Sequence, residues 1–216
     1  MTEIPTGALG RLFAWLSPGF PVGAFAYSHG LEQAVAEGAV RDGVTLEAWI
    51  ADALAHGAGR TDAILAAHAS RADESDCDAL ADLARALQPS AERAAEAAIP
   101  GAAFARTARE GWGIAIADAP YPVAVGAAAG QAGLTPAVFL PLMLQAFAAN
   151  LISAGVRLIP IGQTEGQQVL CALLPLIERV AAEAGPAALA QIGSAGFAID
   201  IASLRHESLE PRLFRA

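Results

Sequence analysis

Residues 119–156 read APYPVAVGAAAGQAGLTPAVFLPLMLQAFAANLISAGV, without one charged side chain. A run of this length can span a bilayer. Its punctuation argues otherwise. Pro120, Pro122, Pro136 and Pro141 interrupt it, as do Gly126, Gly130 and Gly133. Gln131, Gln145 and Asn150 place amides in it, and alanine fills much of the rest. No basic cluster and no aromatic belt flanks it. Thr135-Pro136 is a helix start, an N-cap residue followed by proline at the first helical position. The stretch is expected to form two buried core helices rather than a membrane span. Gly126-x-x-x-Gly130 marks a close helix–helix approach, inside the core or at a dimer seam.

The rest of the 216 residues agree with a helical core. Hydrophobic residues make up 55%, charged residues 16% and aromatics 6%; alanine is about a quarter. Alanine favours helix and disfavours strand. The expectation is all-α: a single helical domain of roughly ten helices over residues 1–204, with a flexible C-terminal tail over 205–216. Leu9, Leu12, Phe13 and Leu16 mark a helix over Gly7–Ser17, and a second is expected from Phe25 to Gly38. Thr45 is the expected cap of a third, which Gly57 and Gly59 end. Thr61 or Asp62 opens the next, and Ser75 with Asp78 fits a capping box. Further helices are read at about Ser90–Ala98, Gly101–Ala117, Thr164–Ala184 and Ala187–Leu204, the third opened by a capping box of Thr164 and Gln167.

Charge excludes several function classes. The formal net charge is −9, and all 13 basic residues are arginine. An acidic chain has no global attraction for nucleic acid or anionic lipid. Without lysine there is no P-loop and no lysine Schiff-base chemistry. Cys77 and Cys171 are far apart and read as small buried hydrophobes in a reducing compartment. Met1-Thr2-Glu3-Ile4-Pro5 has no basic region of a secretory leader.

No residue pattern points to catalysis. His29 and Glu32 stand three apart on an expected helix and could face one metal, but no second such pair exists. His206-Glu207 is at best a weak metal site. Ser28 and His29, as sequence neighbours, would point about 100° apart on a helix, which does not make a nucleophile–base pair. Three polar islands remain in the apolar body: 23–32, 159–168, and the arginine-rich tail with Leu213 and Phe214, residue types that interfaces favour.

In this order and spacing, the three islands resemble the UreF family of urease accessory proteins. Residues 17–32, SPGFPVGAFAYSHGLE, are similar to its S-P-x-x-P-V-G-x-F-x-Y-S-x-G-L-E signature. Ile159–Leu170 is similar to its P-L-G-Q-T-D-G-Q-R segment. Arg205-His206-Glu207 through Arg212-Leu213-Phe214-Arg215 is similar to its H-E…R-L-F-R ending. Departures are His29 where glutamine is frequent, Glu165 for aspartate, Gln168 for a basic residue, and Glu210-Pro211 for Tyr-Ser.

The resemblance implies a cytoplasmic, non-catalytic, all-α helper with no cofactor of its own and no nucleic-acid or membrane partner. It implies a homodimer that binds UreD (also called UreH) and recruits the GTPase UreG, so that nickel reaches apo-urease. Three surfaces are expected to serve this. The tail, Arg205, His206, Glu207, Arg212, Leu213, Phe214 and Arg215, would order against UreD. Gln163, Thr164, Glu165, Gln167 and Gln168, with Tyr27, Ser28 and Glu32, would face UreD or UreG. An apolar helix face that includes Gly126-x-x-x-Gly130 would carry the self-contact. The competing readings are a generic helical interaction domain and a small integral membrane protein.

Overall fold

In the computed structural model, residues 6–215 are described. The reading of Met1–Pro5 therefore lies outside the described residues, as does Ala216. Ten α-helices and two 3-10 turns, and no strand, form among the described residues. The helices are α1 (Thr6–Trp15), α2 (Leu31–Ala36), α3 (Gly43–Ala55), α4 (Ala58–Ala69) and α5 (Glu74–Ala86), followed by α6 (Ala91–Trp112), α7 (Tyr121–Gln131), α8 (Pro136–Leu158), α9 (Gln163–Ala184) and α10 (Phe197–His206).

The charge-free stretch becomes α7 and α8, two core helices separated by a turn in which Gly133 has φ 71°. By length and composition α8 could cross a membrane. Here α3, α4 and α9 pack against it. Its Phe139, Leu140, Leu144 and Leu151 are fully buried, with Leu46 and Ile50 of α3 and Ile64 of α4 in the same core. Removing that apolar area from water supplies the main drive for folding, roughly 25 cal/mol per Å². On the far side of the core, Trp15 meets Phe104 edge to face, with ring centroids 6.1 Å apart.

Gly126 and Gly130 settle their own role. A Cβ on Gly126 would stand 2.3 Å from the Ala66 carbonyl oxygen, and one on Gly130 would stand 2.2 Å from that of Ser70. The pair lets α7 lie directly on the α4 backbone. It is spent inside the molecule, so it is not the expected self-contact surface.

Several boundaries differ from expectation for identifiable reasons. Asp42, not Thr45, caps α3: its backbone is extended and its carboxylate accepts from Thr45 N–H at 2.8 Å, while Thr45 Oγ1 returns the bond as the third residue of the box. Asp73, not Ser75, caps α5 in the same way. Thr164 makes no cap bond; α9 starts one residue earlier, after Gly162. The two helices expected around Pro100 are one, because losing one backbone bond to proline is offset by burial of that face of α6. The last helix begins only at Phe197, since Leu189–Gln191 forms a 3-10 turn and Ala195 N–H bonds to the His56 carbonyl. Cys77 is half-buried and Cys171 exposed, so neither is the buried hydrophobe expected.

The largest departure is at 25–38. Ala24–Ala26 is a 3-10 turn, Tyr27 is extended, and His29 and Gly30 are both left-handed, with φ 53° and 74°. A left-handed histidine is uncommon. Gly30 is required here, because a Cβ would stand 2.8 Å from the backbone nitrogen of Ser203. The break sends His29 to Glu96 and Glu32 to the tail, so the two do not share the face that one helix over both would have given them.

Candidate functional site

The segment before α2 and the C-terminal tail form one structure. Ser28 Oγ accepts from the Glu32 N–H at 3.3 Å and anchors the start of α2. Glu32, also buried, is aimed at the tail. Its carboxylate accepts from the backbone N–H of Leu213 at 2.6 Å and of Phe214 at 2.9 Å, and from His206 Nε2 at 3.0 Å. His206 is fully buried, and its Nδ1 bonds to Glu92 at 2.7 Å. The ring is thus held between two carboxylates, one at each nitrogen. Arg212 also pairs with Glu92. Burial pushes the Glu32 carboxyl up, but His206 and the two amides prevail and hold it below the ordinary glutamate value.

Around this centre the tail is fastened at further points. Phe214 is 3% exposed, and the Arg157 guanidinium lies 4.3 Å from its ring centroid. Arg157 Nη2 donates to the Phe25 carbonyl at 3.0 Å, and Arg215 N–H donates to that of Ala26 at 2.9 Å. Arg205 pairs with Glu37 at 3.0 Å, and Glu207 accepts from the Ala91 N–H at 2.9 Å. The expected flexible tail is thus a docked strap, because buried acceptors for its amides and a site for its one aromatic are already built into α2, α6 and α8.

The expected site residues divide into two groups. Tyr27, Ser28, Glu32, Arg205, His206, Glu207, Arg212, Leu213, Phe214 and Arg215 are brought together. Within that group Tyr27, Ser28, Glu32, His206 and Phe214 are buried and do not face outward. Arg205, Glu207, Arg212, Leu213 and Arg215 are exposed. The second group, Gln163, Thr164, Glu165, Gln167 and Gln168, stands apart as an exposed surface on the first turns of α9. Gly166 between them is buried, since a Cβ there would stand 2.9 Å from Ile152 Cγ2. Glu165 lies over the start of α3, with Oε1 2.6 Å from the place a Cβ on Gly43 would take.

Sequence reasoning missed Glu92, which pairs with His206 and Arg212, and Arg157, which lies over the Phe214 ring. Nothing local in the sequence distinguishes either from its neighbours. It also missed an apolar stripe on α10. Phe197, Ile201 and Leu204, spaced i, i+4, i+7, are all exposed, and Leu213 of the strap is exposed as well. Among the described residues no group of three or more His, Cys, Asp or Glu could hold a metal ion.

The UreF family model matches residues 40–174, more than half of the chain. The chain belongs to the UreF family. Likeness to individual UreF proteins extends further, into the strap. A urease accessory protein UreF of Cereibacter sphaeroides is 58% identical over 97% of this chain and 99% of its own length. That of Roseobacter denitrificans is 47% identical over 97% of this chain and 95% of its own. A Bradyrhizobium UreF is 46% identical, covering the whole of this chain and 95% of the relative. The 17–32 segment lies outside the part matched by the UreF family model, as does the tail.

Proposed function

We propose that this chain is a non-catalytic scaffold for urease maturation. It works in the cytoplasm as a homodimer, binds UreD (UreH) and thereby recruits the GTPase UreG, so that nickel is delivered into apo-urease. Nickel is cargo of the complex, and the chain carries no cofactor of its own. Its contribution to GTP hydrolysis is to position UreG.

The observation that carries this reading is likeness to urease accessory proteins over nearly the entire chain, and in the Bradyrhizobium protein over all of it, strap included. The geometry supports it at one place. The strap and α10 together present Phe197, Ile201, Leu204 and Leu213 beside the exposed arginines 205, 212 and 215. Apolar and guanidinium groups on an ordered backbone bind with little further loss of entropy. We assign this face to UreD, and the amide-rich first turns of α9 to UreD or UreG.

Light scattering on a sizing column tests the assignment. The chain alone should run as a dimer, shift to a larger species with UreD, and take up UreG only when UreD is present. A chain that stays free in every mixture refutes the scaffold.

A further inference from the structure

A cavity of about 250 Å³ is walled by α4, α6, α7 and α8 and by the chain between α1 and α2. It serves no part of the strap centre. Trp15, Phe20, Tyr27, Tyr121 and Phe147 supply aromatic surface, and Asp62 supplies a carboxylate. Three other charged or titratable groups line the same space: His29, Arg93 and Glu96. They are occupied with each other. Arg93 Nη1 pairs with Glu96 Oε2, and His29 Nε2 pairs with Glu96 Oε1 at 2.8 Å.

This pairing leaves a charge imbalance. Arg93 neutralises Glu96. Burial and the adjacent Arg93 push His29 toward its uncharged form. Asp62, half-buried on the cavity wall, makes no ion pair and no hydrogen bond among the described residues; burial outweighs the attraction of Arg93 and pushes its carboxyl up to about 7. A carboxylate turned into such a cavity without a direct partner is costly to ionise. The missing partner is a single positive charge. A metal ion is a poor candidate, because it needs several oxygen or nitrogen ligands and the wall offers one free carboxylate. A small, strongly hydrated cation would lose more solvation than one carboxylate returns. A cation with apolar substituents fits both components of the wall, since aromatic faces attract such charge and need no hydrogen bonds. The volume is at the lower edge of known ligand pockets, roughly 300–1,000 Å³, so the occupant is small.

We infer that this cavity is a binding site for a small organic monocation of the alkylammonium class, its charge against Asp62 and its alkyl groups against the surrounding aromatic rings.

The test uses the full chain at about pH 8, above the Asp62 titration range. Choline and tetramethylammonium are titrated by calorimetry, beside the neutral isostere of choline in which carbon replaces nitrogen. The Trp15 indole N–H resonance is followed in parallel as a local reporter. Saturable binding of the cations is expected, with the neutral isostere roughly tenfold or more weaker, as cation–π and charge terms of about 1.4 kcal/mol require. Asp62→Asn should remove the preference for the cation. Tyr121→Phe keeps the ring and the charge, and should retain binding. The inference is overturned if no cation saturates by roughly 10 mM, a weak limit on the affinity scale. It is equally overturned if the neutral isostere binds as well, or if Asp62→Asn binds the cation unchanged.

Discussion

At the scale of single residues, the carboxylates of Glu32 and Asp62 respond to pH in opposite directions. Glu32 is held below its ordinary value, so its stabilisation is fully present above about pH 5 and is lost as pH falls through the folded value. Acid should therefore release the strap. Amide exchange at Leu213 and Phe214 should accelerate on acidification more than the intrinsic chemistry predicts. Glu32→Ala should do the same at neutral pH, with a loss of roughly 2–4 kcal/mol from two orphaned amides and an unpaired, buried imidazole nitrogen. Unchanged protection at Phe214 in Glu32→Ala would falsify the role given to this carboxylate. Asp62 behaves oppositely. Its folded value of about 7 lies above the unfolded one, so the native state binds the extra proton and stability declines as pH rises from about 4 to 7. Asp62→Asn should raise Tm most at pH 8, less at pH 5, and leave it near wild type below about pH 4.

At the scale of elements, the strap and the α4–α7 contact make different demands. Phe214→Ala removes a buried ring and its cation–π partner. Large aromatic truncations cost about 3–5 kcal/mol in a core. Here the loss should fall on strap docking rather than on the global melt, so exchange at the tail should rise while circular dichroism barely changes. Binding of UreD should weaken by more than roughly 1 kcal/mol. Gly126→Val instead drives side-chain carbon into the Ala66 carbonyl. It should destabilise the whole fold by about 3 kcal/mol or prevent folding, measured by urea unfolding. Glu165→Arg reverses a charge over the first turn of α3 and should cost no more than about 1 kcal/mol. Any larger fall in urease activation would then report a lost contact with a partner.

At the scale of the molecule, one apolar core built from α3, α4, α8 and α9 carries two polar constructions that do not share hydrogen bonds. One is the Glu32–His206–Glu92 centre that fastens the strap, and the other is the His29–Glu96–Arg93 set beside the cavity. They adjoin on α6, where Glu92 and Arg93 are consecutive, and in the short chain 27–32, where Tyr27 and His29 line the cavity and Ser28 and Glu32 serve the strap. That division explains why the resemblance in this segment is so dense in small and polar residues. Consecutive positions face opposite constructions, so few substitutions leave both intact. A complex with UreD should consequently protect the amides of 27–32 from exchange along with those of the strap.

Composition and punctuation alone determined the all-α class, the two core helices in the charge-free stretch and the three polar islands. These are local or summed properties: alanine content, apolar spacing, and proline and glycine at element ends. Family membership was also legible, because the islands occur in one order and spacing. Only the tertiary structure decided what the islands do. Glu32 meets Phe214 across 182 positions of chain, and Arg157 meets it from a third element. No periodicity encodes a contact at that separation. The same holds for the left-handed turn at His29 and Gly30, which is dictated by the approach of Ser203 from α10 and overrides the helix its neighbours would otherwise form.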